Sequence, residues 1–168
     1  MIKFVDGNFL DTDANFIVNQ VVRQEVQSMT KIEEEIFEKY PHVESEYIKY
    51  IRHCKKNKIN IFGNVQYVPV DIWAIVMVDT MKNNNIIEYD ENFKYICNVF
   101  CNTFMEKSQN IKIDFESFKK ALLSIYNVAK TIKNSKILIP CKKNDDKTIE
   151  IIKDIFYEDG IDVEIFQY

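Results

Sequence analysis

Cys97 and Cys101 stand four residues apart, His53 adjoins Cys54, and Arg23, Lys142 and Lys143 lie where apolar runs give way to polar ones. The first two groupings could ligate a metal, and the third could hold a phosphate. Zinc requires three or four ligands converging on one point. The stretch Tyr95-Ile96-Cys97-Asn98-Val99-Phe100-Cys101 is aromatic and β-branched and reads as a strand. Along a strand the two thiols are separated by about 13 Å. His53 and Cys54 are sequence neighbours, which point in different directions from a helix. Neither a metal site nor a cofactor is expected.

Phosphate binding turns on glycine. A backbone that wraps a diphosphate uses glycine for close approach and for positive φ. The chain has three, Gly7, Gly63 and Gly160, and none lies in the two candidate strand-to-helix junctions. One junction runs from Ile17-Val18-Asn19 to Thr30, the other from Ile137-Leu138-Ile139-Pro140 to Asp145. Arg23, Lys142 and Lys143 could replace missing backbone donors with side-chain charge. Thr30 and Glu33 match a capping box, in which side chains satisfy the free N–H groups of a helix end. Glu33, Glu34 and Glu35 put carboxylates in that first turn, where they favour the helix and repel a diphosphate.

The 168 residues suit one domain spanning 1–168 with a substantial core. At 46% hydrophobic and 29% charged, the composition is that of a folded globular chain. The net charge of -4 is spread evenly, without the basic stripe that a nucleic-acid backbone selects, so nucleic acid is not an expected partner. No apolar run reaches the roughly 20 residues of a membrane span, and Met1-Ile2-Lys3-Phe4-Val5-Asp6 lacks a signal-peptide pattern. The expected location is cytoplasmic, with Cys54, Cys97, Cys101 and Cys141 reduced.

Strands are expected at Ile2 to Val5, Phe16 to Val18, Ile59 to Phe62, Val65 to Val70, Tyr95 to Cys101, Ile137 to Ile139 and Val163 to Phe166. Trp73 to Val78 could be a strand or a helix and is read as helix. Helical spacing links Met29, Ile32, Ile36, Phe37 and Tyr40 up to Pro41, and a second helix is read from His42 to Lys56. A third begins near Asp114 with Phe118, Ala121, Leu122, Ile125, Ala129 and Ile132 as its buried stripe. A fourth spans Asp146 to Glu158, capped by Gly160. Interleaved strands and helices imply a three-layer α/β/α fold with a central mixed β-sheet.

Four stretches in this order, Val5-Asp6-Gly7-Asn8-Phe9-Leu10, Phe16-Ile17-Val18-Asn19-Gln20-Val21, Lys39-Tyr40-Pro41-His42-Val43 and Ile137-Leu138-Ile139-Pro140, with the closing Val163-Glu164-Ile165-Phe166, resemble the macro domain. The likeness is to the small single-domain prokaryotic and phage versions of this ADP-ribose-associated module, and it covers nearly the whole chain. It implies that Asn8 stands where relatives use Asp to receive the adenine amino group, and that Asn19 could contact a distal ribose. Candidate ligand-binding residues are then Asn8, Phe9, Asn19, Arg23, Ser28, Lys142 and Lys143; Phe9, Phe100 and Phe104 also read as core or rim aromatics. Both glycine-rich loops of the family are missing, and no catalytic residue can be carried over. The expectation is a catalytically inactive macro-like protein, a pseudoenzyme or binding module, with ADP-ribose binding weakened or lost and a changed ligand or a protein as partner. The alternatives are a diverged ADP-ribose-binding protein or ADP-ribosyl hydrolase, or a structural role as a homo-oligomer.

Overall fold

The computed structural model describes residues 1–22, 29–71, 94–105, 110–157 and 160–168. The expected helix at Trp73 to Val78 lies outside them, as do Arg23 and Ser28. Among the described residues seven strands form one sheet: β1 (Ile2–Val5), β2 (Phe16–Val22), β3 (Val65–Pro69), β4 (Tyr95–Met105), β5 (Asn110–Ile113), β6 (Lys136–Cys141) and β7 (Asp162–Gln167). The order is β1-β7-β6-β2-β4-β3, and β5 pairs the second half of β4. Strands β1, β7, β6, β2 and β4 are parallel; β3 and β5 run antiparallel to β4. The sheet is thus mixed, with helices on both faces.

Among the described residues the helices are α1 (Lys31–Lys39), α2 (Pro41–Lys56), α3 (Phe115–Ala129) and α4 (Asp146–Phe156). Tyr40 separates α1 from α2 because the residue before a proline is disfavoured in the helical region, whereas Pro41 suits the first turn of the next helix. Alternation along β2 assigns the two cores. Phe16 and Val18 pack with Phe118, Ala121, Leu122 and Ile125 of α3 and with Ile152 of α4. Ile17 and Val21 pack with Ile32, Ile36 and Phe37 of α1 and with Val43, Tyr47 and Ile51 of α2. Phe100 of β4 is fully buried on the α1/α2 side and stacks on Tyr47 at 6.0 Å between ring centres. Burying a side chain of this size contributes on the order of 2 kcal/mol.

Three sequence readings need correction. Ile59 to Phe62 is not a strand: Asn60 Oδ1 accepts from the Phe62 N–H at 3.1 Å, and the Asn64 N–H donates to the Ile61 carbonyl at 2.9 Å, so the chain turns there. Gly63 completes that turn at φ 75°, and a Cβ on it would lie 2.7 Å from Lys120 Cδ. Gly160 does not cap α4 in the left-handed region; the helix ends at Phe156, with Tyr157 still in right-handed helical geometry. β5 has no counterpart in the sequence reading, since Asn110-Ile111-Lys112-Ile113 offers too little apolar length to stand out. Among the described residues, no helix is long and apolar enough to cross a membrane.

Leu122 and Leu123 are neighbours on α3, one fully buried and the other 41% exposed. Leu122→Ala should cost about 2–5 kcal/mol of unfolding free energy in urea titrations. Leu123→Ala should stay within about 0.5 kcal/mol; equal losses would contradict this packing.

Candidate functional site

In an open sheet with parallel strands, ligands bind beyond the carboxyl ends where neighbouring strands send their connections to opposite faces. Here that place lies between β2 and β6. β2 leads to α1 on one face, and β6 leads to α4 on the other. β2 pairs with β6 at Phe16–Ile137 and Ile17–Leu138. Beyond it, Gln20 Nε2 donates to the Pro140 carbonyl at 3.0 Å, so a side chain stitches the strands together. Asn102 Nδ2 from β4 donates to the Gln20 carbonyl at 2.8 Å. A cleft of about 30 Å³ opens there, lined by Gln20, Thr30, Asn102, Pro140, Lys142 and Tyr168 among others. Pockets that take small ligands typically hold roughly 300–1,000 Å³.

Both helix ends beside the crevice are closed by their own side chains. Thr30 Oγ1 accepts from the Glu33 N–H at 3.2 Å, and Glu33 Oε2 accepts from the Thr30 N–H at 2.9 Å. This is the capping box read from the sequence. At the start of α4, Asp145 Oδ1 accepts from the Thr148 N–H at 3.1 Å, and Oδ2 accepts from the Thr148 hydroxyl at 2.6 Å. Asn144 takes φ 63° in the turn before it, a left-handed conformation that asparagine enters more readily than other non-glycine residues.

Glu33 is 1% exposed, and its Oε1 has no hydrogen-bond partner among the described residues. Burial raises its carboxyl to about 7, against the lowering effect of the bonds to Thr30. Tyr168, on the cleft wall, has its phenol pushed up to about 12 by burial and then by the nearby Cys141, Glu33 and Asp145. Cys97 and Cys101 are fully buried on β4, where desolvation holds both thiols well above their ordinary range.

The residues singled out in the sequence fall in different surroundings. Asn8 is exposed and engaged in its own turn: Oδ1 accepts from the Leu10 N–H at 3.1 Å, and Nδ2 donates to Asp11 Oδ2 at 3.0 Å. Phe9 is buried against Phe166, with ring centres 5.4 Å apart. Lys142 lines the cleft and Lys143 is exposed; the Lys143 N–H donates to the Tyr168 carbonyl at 3.1 Å. Asn19 is fully buried, on the α1/α2 side, and its Nδ2 donates to Asn98 Oδ1 at 2.9 Å. The sequence reading passed over Gln20, Gln66, Asn98, Asn102 and Tyr168. The available signal was Asn98 and Asn102 interrupting an apolar strand, where an amide has to find a partner.

The macrodomain of Thermus aquaticus DarG superposes with a TM-score of 0.65 over 100% of this chain and 97% of that one, at 15% identity. The chain has the macrodomain fold. The macrodomain of Mycobacterium tuberculosis DarG matches with a TM-score of 0.65, 15% identity, and coverage of 99% and 97%. Thermosipho africanus DarTG in complex with ADP-ribose matches at a TM-score of 0.61 and 13% identity, over 99% of this chain and 41% of that one. No protein-family model matches the sequence, and no curated protein is significantly similar to it. In this macrodomain fold Gln20, Thr30 of the α1 cap and Lys142 line one cleft, and the capped start of α4 follows three residues after Lys142.

Because Glu33 holds its proton more tightly folded than unfolded, its stabilising contribution is complete below about pH 4.5 and is lost as pH rises through about 7. Glu33→Gln, which keeps an acceptor for the Thr30 N–H, should remove this dependence. The difference in unfolding free energy between the two proteins should change by up to about 3 kcal/mol between pH 4.5 and 8 in urea titrations. Parallel pH profiles would contradict it.

Proposed function

We propose that this chain is a non-catalytic macrodomain-type binding module, one domain over residues 1–168, in which ADP-ribose binding is weakened or lost. The carrying observation is the pair of self-capped helix ends at the crevice. A diphosphate binds a helix end through free N–H groups and a favourable dipole. Here Thr30 and Asp145 already engage the N–H groups of Glu33 and Thr148, and Glu33 adds a buried carboxyl behind the cleft. The Gln20 bridge to Pro140 occupies ground between the strands. Support for the ligand class is the solved Thermosipho africanus DarTG, which is in complex with ADP-ribose.

The second reading is a diverged ADP-ribose-binding protein or ADP-ribosyl hydrolase. Lys142 on the cleft wall favours it, with Arg23, Ser28, Lys143, Asn8, Phe9 and Asn19 as the further ligand-binding candidates. Hydrolysis demands donors preset at the reacting centre, which flexible lysines supply poorly. The same proposal assigns a cytoplasmic setting and no nucleic-acid partner.

Calorimetric titration with ADP-ribose decides between these readings. The expected result is no binding tighter than about 100 μM, or roughly -5.5 kcal/mol. One-to-one binding tighter than that, or release of ADP-ribose from a modified substrate, would replace the first reading with the second.

A further inference from the structure

The pairing of β2 with β6 stops short of the carboxyl ends of both strands. Among the described residues it covers Phe16–Ile137 and Ile17–Leu138, although β2 runs on to Val22 beside β4 and β6 runs on to Cys141 beside β7. Pro140 accounts for this. A proline has no N–H to give a neighbouring strand, and inside a central strand it marks a place where the ladder ends. Its carbonyl still needs a donor. Gln20 supplies one from its side chain, Nε2 to the Pro140 carbonyl at 3.0 Å. A backbone carbonyl only accepts, so the Gln20 amide must turn its NH₂ toward Pro140. The Gln20 backbone is held from the other side, where Asn102 Nδ2 donates to its carbonyl at 2.8 Å. Gln20 and Pro140 both line the cleft of about 30 Å³, which is room for roughly two water molecules.

We propose that the Gln20 side chain is a built-in occupant of this crevice, a latch whose carboxamide stands in for a ligand group, so that whatever enters between β2 and β6 has to displace it and bring its own N–H to the Pro140 carbonyl. The inference rests on the reading of the crevice as the binding place of this module. It makes Gln20 a specificity-determining residue and names the class of group that the place takes, an uncharged amide. An ammonium would meet the Lys142 cation on the same wall, and a carboxylate would set acceptor against acceptor at Pro140. Exchange is feasible because the latch is one partly buried side chain, able to take another rotamer, and a neutral amide hydrogen bond is modest in net strength.

Gln20→Ala removes the same heavy atoms that acetamide carries, which makes acetamide the probe. Titrated into the isotope-labelled variant, it should shift the signals of Thr30, Asn102, Lys142 and Tyr168 in a saturable way, with a dissociation constant in the millimolar range. The parent protein should bind it about ten-fold more weakly or less, because its own amide holds the place. Acetate and methylammonium should leave those signals of the variant unmoved. Equal acetamide titrations in the two proteins, or no response in the variant, would overturn the latch. Acetate or methylammonium binding as strongly as acetamide would overturn the ligand class. Should the variant fail to fold, the parent protein still decides on the bridge: a coupling across the hydrogen bond should connect Gln20 Nε2 with the Pro140 carbonyl carbon, and its absence would overturn the proposal. Tight ADP-ribose binding by the parent protein would sink the functional reading while the acetamide comparison stands or falls by itself, so the two failures are distinguishable.

Discussion

Strand β2 has to be apolar toward both helix layers while it pairs with β4 on one edge and β6 on the other. Six of its seven residues are buried, and each belongs to one face by parity. A shift by one residue would exchange Phe16 and Val18 with Ile17 and Asn19, and would put the amide into the α3/α4 core. The pairing of Asn19 with Asn98 opposes that shift, because the two amides meet only in the observed register. One polar contact in an otherwise apolar layer thus helps specify how both cores are filled.

The crevice illustrates competition for a single resource. Backbone N–H groups at a helix start can serve a bound anion or the chain's own side chains, and the same group cannot serve both fully. At α1 and α4 side chains have taken the N–H groups of Thr30, Glu33 and Thr148. The gain is local stability, about 1 kcal/mol for each cap. The loss falls on anion affinity. Glu33 sharpens the effect, since its buried carboxyl keeps a proton up to about pH 7 and adds negative charge behind the crevice above it.

Much of the fold was legible in the sequence because period and punctuation agreed. The stripe from Phe118 to Ile132, the break at Tyr40-Pro41 and the Thr30–Glu33 box each rest on local rules, and each stands in the structure. Ile59 to Phe62 misled because its apolar residues serve a turn, fixed by Asn60 and Gly63 rather than by alternation. The site was far less legible. Gln20, Gln66 and Asn98 act through partners 120, 20 and 32 positions away, and no local pattern carries such distances. Asn8 and Asn19 were both singled out through the family resemblance, yet one closes an exposed turn and the other is buried against Asn98.

At the far edge of the sheet, β1 pairs, among the described residues, only with β7, joining Ile2–Val5 to Val163–Phe166 in parallel. The Met1 ammonium adds a bond to the Ile161 carbonyl at 2.8 Å. During folding, β1 therefore waits for β7, whose residues lie about 160 positions away. Phe4, still 52% exposed after docking, spends that interval in the open. Pairings of such long sequence separation form late and slowly, and an unpaired apolar strand is a hazard while they do. Lys3 sits within this strand and meets Glu164 at 2.9 Å only after docking, and a charge on an unpaired strand opposes its pairing with another chain.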